Sequence, residues 1–149
     1  MTQATYSFNV LNHGLRFDFS SIGKRIISKS IIYREIDIPG MYSLALVDNH
    51  EDGSSDDTVV SDNGDMEKIL VTVFQTFSIF FRRHPDALVA FWGSTASRTR
   101  LYRIAISHEW AKIAEIYNVW GITEQAYESF ERNRLYIGFL FSLKETNIV

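Results

Sequence analysis

Apolar and polar positions alternate with a period of two at the start of the chain and recur with a period near 3.6 in its middle, so strands are predicted first and helices later. Tyr6 to Val10 alternates aromatic with polar residues, Asn12-His13-Gly14 supplies a turn, and Leu15 to Ser20 resumes with Phe17 and Phe19 on one face, which is a hairpin pattern. Ser21-Ile22-Gly23 predicts a second turn, and the isoleucine-rich stretch Arg25 to Ile38 predicts one long or bulged strand. Pro39-Gly40 suits a type II turn, because proline fixes φ at the second position and glycine accepts positive φ at the third. Met41 to Val47 then returns with Tyr42, Leu44 and Leu46 on one side. The first third predicts a four-stranded antiparallel meander.

The period then changes. Met66, Ile69, Leu70, Val73, Phe74, Phe77, Phe80 and Phe81 fall on one stripe of a helix, with Asp62, Asn63 and Asp65 as caps and negative charge at its start, Arg82, Arg83 and His84 at its end, and Pro85 to stop it. Such a phenylalanine stripe predicts core against a sheet. Ala87 to Trp92 is almost wholly apolar, as an inner strand is. A helix follows from about Thr95 to Tyr117, with Leu101, Ile104, Ala105, Trp110, Ile113, Ala114 and Tyr117 on its apolar arc and Arg100, Arg103, Ser107, His108, Lys112 and Glu115 on its polar stripe. Val119 to Gly121 reads as a turn or short strand, Thr123 to Glu131 as a short helix capped by Thr123, and Tyr136 to Leu143 as a half-buried strand before a polar tail. The expected fold is α+β: an antiparallel sheet with two long helices packed on one face, in the order β-β-β-β-α-β-α-β.

The length of 149 residues suits one domain with a real core. The absence of cysteine removes disulfides and thiolate chemistry and fits a reducing cytoplasm. With no signal-peptide pattern at its start and no apolar run near the ~20 residues of a membrane span, a cytoplasmic protein is expected. Charge is segregated. Seven of the 18 acids lie between Asp48 and Asp65, where no Lys or Arg occurs, which leaves 11 acidic against 15 basic residues in the rest of the chain. The polar stretch 48–64 predicts a flexible acidic loop. Its carboxylates near His50 lack the ordered spacing of a calcium loop, so neither a metal site nor a cofactor is predicted.

Candidate chemistry concentrates at Ala87 to Arg103, ALVAFWGSTASRTRLYR. A strand, a tight loop and a helix start bring backbone N–H groups and the positive end of the helix dipole to one place. Gly93, Ser94, Thr95, Arg98, Arg100, Tyr102 and Arg103 are the candidate ligand-binding residues, since glycine permits close approach and arginine binds phosphate or carboxylate bidentately. The spacing is neither that of a triphosphate loop nor that of a dinucleotide fold. By the 3.6-residue period Arg98 projects opposite to Arg100, so the arginines converge only if Arg98 sits in the first turn. The plain structural alternative has Ser94 or Thr95 as helix cap, Arg98 paired to an acid, and Arg100 and Arg103 solvated. Three function classes stay open. One is binding of a phosphate-bearing or other anionic ligand, a nucleotide or single-stranded RNA or DNA, without assigned catalysis. A second is a small toxin-like ribonuclease using the same arginines with His108. The third is an interaction module that self-associates, a homodimer being the commonest form.

The motif Gly93-Ser94-Thr95-x-x-Arg98-Thr99-Arg100-Leu101-Tyr102-Arg103, the segment Gly64-Asp65-Met66-x-Lys68-Ile69-Leu70 and the closing Glu131-x-Asn133-x-x-Tyr136 together resemble a family of small bacterial proteins of unknown function. The resemblance runs nearly end to end. It implies a stand-alone cytoplasmic domain and carries no catalytic residues.

Overall fold

The structure, a computed structural model, describes residues 5–56 and 63–145. β1 (Asn9–Leu11), β2 (Arg16–Ile22), β3 (Ile26–Glu35) and β4 (Met41–Asn49) form the meander that the alternation predicts, each antiparallel to the next. Between β3 and β4, Met41 N–H donates to the Ile38 carbonyl at 3.1 Å and Gly40 has φ +78°. That is a type II turn, and only glycine takes its third position without strain.

β4 is the pivot of the sheet. One edge pairs with β3. The other pairs along Met41–Leu44 with β6 (Leu88–Phe91), in parallel, and at Asp48 and Asn49 with the short β5 (Ser55–Asp56). α1 (Met66–Arg83) supplies the crossover that parallel pairing requires. After α2 (Ala96–His108) and α3 (Trp110–Ile116) come β7 (Tyr117–Ile122), β8 (Tyr127–Ser129) and β9 (Gly138–Leu143). β9 inserts between β6 and β7, antiparallel to both, giving the order β1-β2-β3-β4-β6-β9-β7-β8 with β5 on β4. The last strand thus joins two parts of the sheet that the rest of the chain leaves apart.

The helices cover one face. On α1, Phe80 stacks on Tyr33 with ring centroids 4.3 Å apart, and Phe77 meets Phe141 at 4.9 Å. On α2, Tyr102 stacks on Phe91 at 4.2 Å. Trp110 of α3 lies on Phe130 at 5.0 Å. Among the described residues, no helix is long and apolar enough to cross a membrane.

The α+β class agrees with the pattern, and several details differ from it. The sheet is mixed, because a sequence period cannot say whether Ala87 to Trp92 runs with or against β4. The expected helix 95–117 is two helices, broken at Glu109 (φ −97°, ψ 12°), and the break lets Trp110 turn onto Phe130. Tyr117 begins a strand. Thr123 caps a turn rather than a helix: its N–H donates to the Ala126 carbonyl at 2.8 Å, and its Oγ1 accepts from Ala126 N–H at 3.2 Å. The acidic stretch begins inside the sheet, with Asp48 buried on β4.

The predicted caps of α1 do other work. Asp65 stands at the N-cap, but its carboxylate accepts from Tyr6 Oη and from Ser21 Oγ (2.6 Å), tying β2 to the start of the helix. Asn63 is buried. Its side chain accepts from Arg25 N–H at 2.7 Å and donates to Ser21 Oγ at 2.9 Å. Its backbone oxygen lies 1.8 Å from where a Cβ on Gly23 would stand, so the β2–β3 turn requires glycine there. Asp62 lies outside the described residues.

Buried phenols give the fold a pH limit. Burial pushes Tyr117 up to about 12 and Tyr33 higher still, and it raises Tyr6, Tyr42 and Tyr136 as well. An unfolded tyrosine releases its proton near pH ~10, so above that pH the folded chain binds more protons than the unfolded chain. Stability is therefore intact below about pH 10 and falls as pH rises toward 12, by about 1.4 kcal/mol per pH unit for each phenol that stays protonated. Urea titrations at pH 8, 10 and 11 read this directly. A flat stability across that range would contradict it.

Candidate functional site

The junction after β6 is built by its own backbone. A Cβ on Gly93 would stand 2.6 Å from Arg98 Cβ and 2.7 Å from the Thr99 nitrogen, so only glycine lets the first turn of α2 fold back so closely on the end of the strand. Gly93 N–H donates to Thr99 Oγ1 at 3.0 Å, and Thr99 Oγ1 donates to the Thr95 carbonyl at 3.2 Å. Thr95 is the N-cap, its Oγ1 accepting from Arg98 N–H at 3.2 Å. The amides of Ala96 and Ser97, in the first turn, have no intrahelical acceptors. No acidic side chain occupies that turn.

This junction forms one wall of an open cleft of about 770 Å³. Ser94, Thr95, Ser97, Arg100 and Arg103 line that wall. The rest of the lining comes from far along the chain: the Thr123–Gln125 turn and Leu135 to Ile137. Leu135 is 79% exposed and Ile137 55%, unusual values for such large apolar side chains. Tyr136 between them is buried flat against Gly121, where an added Cβ would meet its ring at 2.2 Å. Its hydroxyl accepts from Glu131 N–H at 3.0 Å and donates to Glu128 Oε2 at 3.3 Å. Glu128 also accepts from Arg134 Nη1 at 2.9 Å. Burial above all, with these neighbouring carboxylates, raises the Tyr136 pKa, so the ring stays neutral at ordinary pH. Glu124 places a carboxylate in the cleft lining as well.

The seven predicted binding residues do not all meet. Gly93, Ser94, Thr95, Arg100 and Arg103 share the cleft. Arg98 and Tyr102 leave it. They are 4% and 2% exposed, on the buried face of α2 with Ala105 and Ile106, and with Trp92 they line a separate pocket of about 230 Å³ beside Leu44 to Leu46 of β4. Four residues make one turn and a tenth, so Arg98 and Tyr102 share a face, and that face is the one α2 turns to the core. Leu101 and Ile104, expected on the apolar arc, are exposed instead. His108 is exposed too. Its Nδ1 lies 3.2 Å from Glu67 Oε1, and it borders a groove of about 370 Å³ with Arg103 and Arg132 rather than the Gly93 loop. Sequence reasoning missed the wall of Leu135 to Ile137. The exposed apolar pair flanking Tyr136 was the available signal, and nothing local says which element shares its cleft.

Among the described residues, no group of three or more His, Asp or Glu side chains is placed to hold a metal ion. The geometry defines an α+β domain with an open, arginine-bearing cleft where an inner strand gives way to a helix. The chain belongs to the family of unknown function DUF6934, which matches it over residues 2–144. No curated protein and no solved structure matches it.

Proposed function

We propose that the cleft binds a phosphate-bearing or other anionic ligand. The carrying observation is that Arg100 and Arg103 line the same opening as the exposed hydroxyls of Ser94, Thr95 and Ser97, at the amide end of α2. Arginine offers forked donors that match phosphate oxygens, and the Ala96 and Ser97 amides, which have no intrahelical acceptor, add donors of fixed direction. Leu135 and Ile137 add exposed apolar surface to the lining, beside the polar Thr123–Gln125 turn, which favours a molecule with a planar or apolar part over bare phosphate. Arg98 and Tyr102 are not in the binding set. The GSTxxRTRLYR stretch is the proposed mark of the family, because it builds this wall.

Thermal melts with inorganic phosphate and with nucleoside monophosphates test the reading. A ligand at about 100 times its Kd stabilises the folded state by about 2.7 kcal/mol and raises Tm accordingly. The shift is expected to disappear in the Arg100→Ala/Arg103→Ala double variant and to persist in Arg82→Ala, on α1. The reading fails if no anion moves Tm or if the double variant keeps the whole shift.

A further inference from the structure

We propose that the anion bound here is a single-stranded nucleic acid lying along α2, rather than a lone phosphate or mononucleotide; this rests on the binding reading above. Arg103 carries the inference, because it lines both the main cleft and the neighbouring groove that holds Ser107, His108, Arg132 and Asn133. The two depressions therefore share a cationic side chain. At 100° per residue, Ser97, Arg100, Arg103, Ser107 and His108 fall within an arc of about 140°. α2 has 13 residues and is about 20 Å long, a row that one phosphate group cannot span.

The chemistry along the row suits a chain of alternating charge and apolar surface. Arg103 Nη1 donates to the Arg134 carbonyl at 3.4 Å, while its buried Nε has no hydrogen-bond partner among the described residues. Glu67 holds the His108 ring by Nδ1, orienting it at the far end of the row. Exposed Leu135 and Ile137 line the cleft and exposed Ile104 lines the groove, giving sugars and bases apolar surface to rest on. Glu124, Glu67, Glu128 and Glu131 are carboxylates near this track; Glu67 is engaged with His108, and Glu128 and Glu131 lie 2.9 and 3.8 Å from Arg134 Nη1.

Fluorescence anisotropy with labelled oligo(dT) of about ten nucleotides, a typical single-strand site size, is compared with dTMP competition. The oligonucleotide is expected to bind at least tenfold more tightly than dTMP. Its log K should fall with log salt at a slope steeper than about −1.4, the release expected from two phosphate contacts. His108→Ala/Arg132→Ala should weaken the oligonucleotide about tenfold and leave dTMP unchanged, whereas Arg100→Ala/Arg103→Ala should weaken both. If dTMP binds and the oligonucleotide binds no tighter, or if the His108/Arg132 pair has no effect on it, the nucleic-acid inference falls and the anion site stands. If neither ligand binds, or if binding ignores Arg100 and Arg103, both fall.

Discussion

Replacing Asp48 by alanine is expected to lower the free energy of unfolding by about 3 to 5 kcal/mol, the usual result of breaking a buried ion pair from one side. Lys29 and Asp48 face each other in the β3–β4 register and are joined through Lys29 Nζ and Asp48 Oδ1. Both are buried. Lys29 shares its face of β3 with Ile31 and Tyr33, so strand alternation delivers an ammonium to the helix-covered side of the sheet. Removing the carboxylate takes from that buried charge the ion pair that helps offset its desolvation. The joint replacement Lys29→Met/Asp48→Leu removes both charges and should recover most of the loss, since apolar side chains of similar volume commonly replace such pairs at little cost. Urea denaturation of the two single variants and the double one measures the coupling. A loss below about 1 kcal/mol for Asp48→Ala would show that water reaches the pair.

Phe77→Ala is expected to cost a similar amount, about 3 to 5 kcal/mol, through lost transfer energy and the cavity left behind. Phe77 is fully buried and touches four rings: Phe74 and Phe81 on its own helix, Tyr117 of β7 and Phe141 of β9. It therefore fastens α1 to the strands that arrive last in the chain. Nothing nearby can collapse easily into the space, because its neighbours are rings held by their own contacts. Phe74, on the same predicted stripe, is half-buried at the margin of a surface groove, and Phe74→Ala should lose clearly less. Equal losses for the two would mean that membership of the stripe, rather than the ring cluster, sets the energy.

The site illustrates how far a local pattern reaches. Gly93, the Thr95 cap and the outward arc of Arg100, Arg103 and His108 follow from residues within two or three turns of one another, where the helical period is a good guide. Arg98 is different. The period separates it from Arg100, but only the packing of α2 decides which of the two goes inside, and Tyr102 stacked on Phe91 decides it. The apolar arc was harder to read, because Leu101 and Ile104 are hydrophobic yet lie on the side that α2 turns away from the core. Hydrophobicity marked them as interior; position relative to the sheet made them surface.

By itself the sequence determined what depends on short range. The meander β1 to β4, the Pro39-Gly40 turn, the span and buried face of α1 and the strand–glycine–helix junction at residue 93 all follow from periodicity and from residues with restricted backbones. The tertiary structure decided what depends on partners distant along the chain. It paired β6 with β4 in parallel, threaded β9 between β6 and β7, buried Lys29 against Asp48, and brought Leu135 to Ile137 to the same cleft as Arg100. The physical reason is that side-chain period reports which face of an element is apolar and carries no information about which other element will cover it.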